Sequence, residues 1–518
     1  MSGSDTAPNA SLPPGWALAD LNDVGVLHCG QSPPSDTVND QAEGTPYISG
    51  PEQWDGSALR LDRWTTTPKR IVPDGSVFVT VKGAGVGTVF PGVRAAIGRD
   101  IYAYMPEPDV SAGFIKHILR FTAAEVVRRA QGDIPGLSKD HILNHRIPLP
   151  PSAEQDRIAH ALDELFSDLD AGVAALVRAR KKLAHYRASV LKAAVEGALT
   201  SEWRRQHPQT EPASELLKRI LAERRRRWEE GHRCKFKKAG REPAKDWEAK
   251  YREPVAPSSG DLSTLPKGWC WATVEQVGSV QLGRQRAPQH HQGLFMRPYL
   301  RVANVYEDRI DLSSVLHMNF TPTEFETYQL CNGDVLLNEG QSIELVGRPA
   351  IYRGELPGAC FQNTLIRFRP FPGVLPEYAL TYFRACLRNH RFRKLARWTT
   401  NIAHLGADRF AAAEFPMPPI AEQEAIVEAV EDQLSVVDHL EVDLEAKVKS
   451  AQGLRHAILY QAFTGRLVPQ NPSDEPVSEL LKRIAAERET RACDTGTAKR
   501  APVSTGAPRL AVRRPRKK

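Results

Sequence analysis

The sequence predicts an α+β protein made of two similar halves, each with a mixed α and β domain followed by a long helix. The stretch from Pro150 to Leu199 opens Pro-Pro-Ser-Ala-Glu-Gln and continues as an amphipathic helical pattern. The stretch from Pro418 to Leu467 opens Pro-Pro-Ile-Ala-Glu-Gln and continues in the same way, 268 positions later. A long helix repeated at this distance predicts two halves.

Shorter motifs repeat in the same order. Leu12-Pro-Pro-Gly-Trp16 recurs as Leu265-Pro-Lys-Gly-Trp269, and the segment 212–220 recurs as 476–484. When a fold is predicted from sequence, internal repeats are considered before local patterns. Because there are only two units, the sequence indicates a duplication and not a solenoid.

Each long stretch has the features of a helix that pairs with another helix. Ser152 suits the N-cap, and Gln155 stands where a capping box takes Glu or Gln. Apolar residues then recur at intervals of mostly three and four, as in a coiled coil. At about 45 residues, each helix would be roughly 65 to 70 Å long. Because the chain returns to the opposite half after each helix, we expect an antiparallel pair with this apolar core: Ile158, Leu162, Leu165, Leu169, Leu176 and Leu183 in the first copy, and Ile426, Val430, Val437, Leu444, Val448 and Ile458 in the second.

The composition is that of an ordinary globular protein. The chain has 518 residues, 41% of them hydrophobic and 25% charged, with a net charge of +7. Residues 499–518 alone contain eight Lys and Arg and no acid, so the rest of the chain is close to neutral. This tail could attract a phosphate backbone without reading sequence. Specific nucleic-acid contacts would have to come from local patches.

The cysteine pattern and the lack of long apolar runs argue against a zinc protein, a disulfide-rich protein and a membrane protein. Seven cysteines are scattered without a Cys-x-x-Cys pair, so neither a zinc site nor a disulfide framework is indicated. No signal-type apolar core and no membrane-spanning run is present. We therefore expect a cytoplasmic protein that does not contact membranes.

The repeats and the turn residues divide the chain into segments. The predicted segments are a disordered N-terminus (1–11), a first mixed domain (12–149), a first long helix (150–200), a short helix with a charged linker (201–262), a second mixed domain (263–417), a second long helix (418–468), a short helix (469–490) and a disordered basic tail (491–518).

No motif in the sequence predicts catalysis. The glycine-rich run from Lys82 to Gly87 lacks the spacing of a dinucleotide-binding loop, so a β-turn is favoured. Asp443 and Lys447 carry groups found in nucleases, but on a heptad helix they form an ordinary surface pair. We therefore predict that the chain binds and does not catalyse, with no metal site.

Arg, Lys, Asn and Gln side chains near predicted strand ends are the better functional candidates. Such side chains read base edges through paired hydrogen bonds. The candidate DNA-binding residues are Lys82, Arg94, Asn304, Asn338, Gln341 and Arg348.

The motifs taken together resemble those of a known family. The relevant motifs are Leu-Pro-x-Gly-Trp at the start of each half, Gly333–Leu337, Tyr299–Asn304, His404–Arg409 and Pro-Pro-x-Ala-Glu-Gln before each long helix. In order and duplication they resemble the specificity subunit of type I restriction-modification systems, over nearly all of the chain before Thr490.

This resemblance implies a function. The mixed domains would be two target recognition domains, each reading a short half-site in double-stranded DNA. The helix pair, with pseudo-two-fold symmetry, would set the distance between the half-sites. Two methyltransferase subunits and the restriction/translocase subunits would be partners. S-adenosylmethionine, ATP and Mg²⁺ would belong to those partners, and this chain would bind no cofactor.

Two other functions remain open at this point. One is a fused nuclease or methyltransferase, which would methylate or cut DNA as a purified chain. The other is a coiled-coil scaffold that binds protein only and shows no DNA sequence preference. The missing catalytic motifs count against the first, and the duplicated mixed domains count against the second.

Overall fold

The computed structural model describes residues 12–83, 85–130, 136–238, 240, 242, 245–258, 262–399 and 402–497. The predicted disordered N-terminus and the tail from 498 onward lie outside the described residues. The chain forms two compact units, each described by itself below. The first comprises 1–176 and 446–518, and the second comprises 177–445.

The first mixed domain consists of short strands with a few helices. In chain order its elements are β1 (Ala17–Asp20), α1 (Leu21–Val24), β2 (Gly25–Cys29), β3 (Val38–Asn39), β4 (Thr45–Ile48), β5 (Trp64–Thr65), β6 (Ile71–Val72), β7 (Val77–Thr80), β8 (Val89–Pro91), β9 (Ala95–Ile97), β10 (Ile101–Pro106), α2 (Ala112–Arg129), α3 (Lys139–Leu143) and β11 (Arg146–Leu149).

Helices follow, and then the second mixed domain. The helices are α4 (Ser152–Val195), α5 (Ser201–Gln206) and α6 (Ala213–Lys238). The second domain contains β12 (Cys270–Thr273), α7 (Val274–Val277), β13 (Gly278–Leu282), β14 (Met296–Leu300), β15 (Val305–Tyr306), β16 (Arg309–Ile310), β17 (Leu316–Asn319), α8 (Pro322–Tyr328), β18 (Asp334–Asn338), β19 (Gly340–Gln341), β20 (Pro349–Tyr352), β21 (Cys360–Phe361), β22 (Leu365–Pro370), α9 (Pro376–Arg388), α10 (Arg391–Leu395), β23 (Arg397–Trp398), β24 (Ala403–His404), α11 (Ala407–Ala411) and β25 (Glu414–Met417). The chain continues with α12 (Ile420–Phe463) and α13 (Val477–Thr497).

The two mixed domains share one topology. In each, the first strand pairs antiparallel with the last strand before the long helix, β1 with β11 and β12 with β25. In each, a four-stranded sheet follows the same path, in the orders β2-β10-β7-β8 and β13-β22-β18-β20. The duplication predicted from short motifs therefore extends to strand order.

The central strands occupy equivalent places. β7 and β18 lie third in their sheets, and every residue of both strands is buried. A strand covered on both faces reads as a continuous apolar run, as Val77–Val79 and Val335–Leu337 do. The remaining sheets differ, since the first domain has the order β3-β5-β4-β9-β6 and the second has β17-β14-β21, β15-β16 and β19-β24-β23.

Both long helices have 44 residues, or about 66 Å at 1.5 Å per residue. In the first unit, the start of α4 and the end of α12 share one apolar core, in which Ile158 and Leu162 join Ile458 and Phe463. Further along α4, Asp170 accepts a hydrogen bond from Arg455.

In the second unit, the end of α4 packs against the start of α12. Val190 and Leu191 share a core with Ile426 and Val430. Arg187, only 8% exposed, donates to Asp438 and, at 3.1 Å, to Glu441. In each unit, residues late in one helix segment contact residues early in the other, so the packed segments run antiparallel.

The predicted helix core is uneven. Leu165 is 39% exposed, and Phe166 takes the buried position instead. Leu434 is also buried, although the sequence did not single it out. A helix with 3.6 residues per turn drifts from a strict 3.5-residue seam, which moves such positions by one residue. Ile158, Leu162, Ile426, Val430, Val437 and Ile458 are buried, whereas Leu169, Leu176, Leu183, Leu444 and Val448 are half-buried.

Two helices are longer than predicted. α6 has 26 residues and ends at Lys238, within the segment 201–262 that was predicted as a short helix with a charged linker, and Trp228 stacks on Trp247 with ring centroids 5.7 Å apart. α13 continues to Thr497, into the segment predicted to be disordered from 491. Its side chains hold it to the first domain, since Arg488 donates to Glu107 at 2.8 Å and to the carbonyl of Gly25 at 3.0 Å. No helix among the described residues has the length and apolarity required to cross a bilayer.

Candidate nucleic-acid interface

A buried glutamate joins the long helix to the mixed domain in the first unit. Pro150 and Pro151 end the last strand and lead into α4, where Glu154 lies in the first turn. Trp16 Nε1 donates to Glu154 Oε2 at 3.0 Å, and Gln470 Nε2 donates to Oε1 at 2.7 Å. Burial raises the pKa of this carboxyl, and the two donors are neutral.

The second unit repeats this contact with a charged donor. Trp269 Nε1 donates to Glu422 Oε2 at 2.8 Å, and Thr200 Oγ1 donates to Oε1 at 2.7 Å. Arg204, on α5, also pairs with Glu422, whose side chain is 1% exposed. The tryptophan of the Leu-Pro-x-Gly-Trp motif thus meets the glutamate of the Pro-Pro-x-Ala-Glu-Gln motif in both halves, which explains why the two motifs occur together.

Positive charge is concentrated in two stretches of the second domain. No Asp or Glu lies between Glu275 and Glu307, and none lies between Glu377 and Asp408. The first stretch contains four arginines, and the second contains five arginines and one lysine. Such stretches favour contact with a polyanion only where their cations are not already neutralised.

Some of these cations are neutralised by carboxylates within the unit. Arg384 lies 3.4 Å from Glu307, and Arg391 pairs with Glu414. Lys394 and Arg397 form no ion pair with any described residue. Their charge therefore remains available at the surface.

The small sheet β19-β24-β23 places an exposed tryptophan beside a predicted DNA contact. Gln341 and Trp398 both lie opposite Ala403, one on each side of β24. Residues directly opposite in an antiparallel ladder share one face. Trp398 is 60% exposed, and an aromatic ring among cations offers a base a stacking surface. This face combines an amide and an indole, while Arg397, the preceding residue of β23, lies on the opposite face of the ladder.

A second exposed aromatic ring lies between two guanidinium groups. Arg309 and Arg348 lie 4.8 and 4.7 Å from the ring centroid of Tyr306. The ring is 38% exposed, and burial lowers the pKa of Arg348. The predicted contact residue Arg348 is therefore held in place by stacking.

Two predicted DNA-contact residues are buried, and this corrects their assignment. Asn304 is 2% exposed, and its amide donates to the carbonyls of Asp311 and Ser314 at 2.9 and 3.1 Å. Asn338 is fully buried in β18. Asn304 thus holds a turn together, whereas the side-chain amide of Asn338 forms no hydrogen bond with any described residue, and neither side chain can reach a base edge.

The remaining predictions fall on accessible positions. Gln341 is half-buried, and Lys82 and Arg94 are exposed on the first domain. Lys82 bridges to Gly136, and the backbone N–H of Arg94 donates to Asp74 at 2.7 Å. The structure does not bring Lys82 and Arg94 into contact with one another. Sequence reasoning missed Arg397 and Trp398, although the acid-free stretch around them was visible.

The described residues contain no group of three His, Cys, Asp or Glu side chains placed to hold a metal ion. The glycine-rich run after β7 is a turn, in which the N–H of Val86 donates to the carbonyl of Gly83 at 3.3 Å and that of Gly87 to Thr80 at 2.9 Å. This turn returns the chain into β8.

Comparison with known proteins shows which family the chain resembles. Residues 13–177 match the family model described as Type I restriction modification DNA specificity domain. The chain is 23% identical to the type I restriction enzyme EcoKI specificity subunit of Escherichia coli K12, over 92% of this chain and 96% of that one. It is 22% identical to the EcoDI specificity subunit of Escherichia coli, over the same shares.

The chain is similar to type I specificity subunits along most of its length. The resemblance to specificity subunits that was predicted from its motifs is confirmed by these matches. A chain in a solved structure described as "Structural basis underlying complex assembly and conformational transition of the type I R-M system" shares its fold, with a TM-score of 0.61 at 16% identity, covering 88% of this chain and all of that one. The predicted mixed α and β class with long helices is confirmed.

Proposed function

We propose that this specificity subunit binds a bipartite, asymmetric target in double-stranded DNA in the cytoplasm. Each mixed domain, 12–149 and 263–417, acts as a target recognition domain for one half of that target. One observation carries the proposal: the two domains share strand order and the Trp–Glu contact, but their other sheets and exposed side chains differ. A common scaffold with unlike surfaces suits two unlike half-sites.

The accessible side chains of the second domain support DNA as the ligand. Lys394 and Arg397 offer unpaired charge to phosphates. Trp398 and Gln341 lie on one face, where an amide can read a base edge. In the first domain, Lys82 and Arg94 are the exposed candidates.

The long helices are proposed to set the distance between the half-sites and to carry the partner subunits. Each packs antiparallel against its partner in both units, and apolar side chains remain uncovered on α12, where Val436, Leu440 and Val442 are 59, 44 and 65% exposed. Exposed apolar groups on a helix favour a protein partner. We propose that two methyltransferase subunits bind the helices, with the restriction/translocase subunits joining them. S-adenosylmethionine, ATP and Mg²⁺ then belong to those partners, and this chain binds none of them.

Single-molecule methylation sequencing tests the proposal. DNA from cells with and without this chain should differ by methylated adenines in one bipartite sequence, present only when the chain is present. The double variant Arg397→Ala, Trp398→Ala should lose that methylation, whereas Arg219→Ala, which changes an exposed arginine on α6, should keep it. An identical methylation pattern with and without the chain would contradict the proposed function.

A further inference from the structure

The loop 286–296 of the second domain exposes a continuous apolar tip. Leu294 is 94% exposed, Phe295 is 44% exposed and Met296 is 38% exposed. Single exposed apolar residues are common on protein surfaces and need no explanation. Three exposed apolar residues in succession, the first of them a leucine almost wholly in solvent, need an explanation.

The tip is held in a fixed position. The N–H of Phe295 donates to Asn319 Oδ1 at 2.8 Å, and its carbonyl accepts from the N–H of Phe320 at 3.0 Å. Gly293 has φ of +155°, and a Cβ at that position would lie 2.3 Å from Asn319 Cγ. The backbone on both sides of Leu294 is thus fixed against the end of β17, so the leucine projects from an ordered turn.

A buried arginine anchors the base of the same loop. Arg284 is 7% exposed, and its Nε donates to Glu324 Oε1 at 2.9 Å. Its Nη2 lies 3.1 Å from His290 Nδ1, and its guanidinium lies over the Phe320 ring at 5.1 Å. The carboxylate of Glu324 on α8 is therefore occupied by an internal cation.

The loop itself carries positive charge. The loop belongs to the stretch between Glu275 and Glu307 that contains no acid. Arg286 and Arg297 are both exposed beside the tip, Arg286 donating to His291 at 3.0 Å and Arg297 lying over the Phe325 ring at 4.5 Å. A protein partner with an apolar patch would not need this charge, whereas a DNA duplex supplies phosphates on either side of a stacked apolar step.

We infer that Leu294 is a wedge that enters the DNA between two base pairs within the half-site bound by the second domain, with Phe295 behind it and Arg286 and Arg297 on the flanking phosphates. Apolar side chains used in this way unstack one step and kink the duplex by about 20–90°. Such a wedge adds specificity through the deformability of the step, without a hydrogen bond to a base. This inference rests on the proposed DNA-binding function.

The test measures DNA bending and binding separately. The full chain, assembled with its modification subunits, is titrated into a duplex that carries the target found by methylation sequencing, with donor and acceptor dyes at its ends. We expect energy transfer to rise on binding. Leu294→Ala should abolish that rise and weaken binding about ten-fold, while Leu294→Met should keep both. Since Leu294 makes almost no contact within the chain, these substitutions leave the fold intact.

Leu312→Ala is the matched control. Leu312 is also exposed, at 36%, but lies beside Asp311 in a segment that phosphates would avoid. The Leu312→Ala variant should bend and bind the DNA as the unchanged chain does. If the target is bound with no bend, or with a bend that Leu294→Ala leaves unchanged, the wedge is overturned and the proposed function stands. If no target preference is found at all, both are overturned.

Discussion

Arg187 and Asp438 form an ion pair between α4 and α12 in the second unit, and the sequence repeats the pair at an offset of 268 residues. The counterparts are Arg455 and Asp170, which form the ion pair in the first unit. Each helix therefore supplies the arginine in one unit and the aspartate in the other. Because both members of the ion pair are duplicated, the duplication preserved the contact between α4 and α12 as well as the two helices.

Arg187 should stabilise the second unit more than a typical surface arginine. It is 8% exposed and bonds two carboxylates, so Arg187→Met should lower the free energy of unfolding by roughly 1–2 kcal/mol, with the exposure of Asp438 limiting the effect. Arg180→Met is the matched control, since Arg180 and its partner Glu445 are both more than 60% exposed, and it should cost less than about 0.5 kcal/mol. Equal losses in urea unfolding would contradict this assignment.

The two buried glutamates should respond differently to loss of charge. Glu422→Gln leaves Arg204 without its carboxylate and should destabilise the start of α12 by roughly 1–3 kcal/mol at pH 7. Glu154→Gln should cost less than about 1 kcal/mol, because Trp16 and Gln470 are neutral and burial already raises the pKa of Glu154. Hydrogen exchange of peptides at the two helix starts measures each effect locally. A greater loss of protection in Glu154→Gln than in Glu422→Gln would contradict the prediction.

His117 should make the first unit sensitive to acid. Burial lowers its pKa to about 4, and Nε2 lies 2.8 Å from Asp163. Between pH 6.5 and 4 the unfolded chain takes up a proton that the folded side chain does not, so stability falls as pH falls, by about 3 kcal/mol at most. His117→Gln should flatten this part of the pH–stability curve, and the exposed His160→Gln should leave it unchanged. An unaltered slope in His117→Gln would show that other groups cause the loss.

Buried and accessible amides should separate stability from specificity. Asn304→Ala removes two donated hydrogen bonds inside a turn and should cost roughly 1–3 kcal/mol while leaving the methylated sequence unchanged. Gln341→Ala should leave the melting temperature nearly unchanged and relax the half-site of the second domain. Melting curves together with methylation sequencing test both predictions. A changed target sequence in Asn304→Ala would indicate that Asn304 contributes to DNA recognition.

The sequence predicted what repetition and periodicity encode. Repeats located both long helices and the start of each mixed domain. It did not predict the pair Arg187–Asp438, because each residue alone looks like part of a solvated helix face. The shared offset of Asp170 and Asp438 was the available signal. Asn304 and Asn338 were misassigned because an amide near a strand end can be exposed to read a base or buried inside the domain, and the sequence does not show which.

The most direct test of the two-domain account exchanges residues 12–149 for the equivalent domain of a related specificity subunit and sequences the methylated sites in cells. The account predicts that one half of the target changes to that of the donor, while the other half and the spacing stay as they were. A chimera that folds and methylates, but whose target changes in both halves, would contradict it.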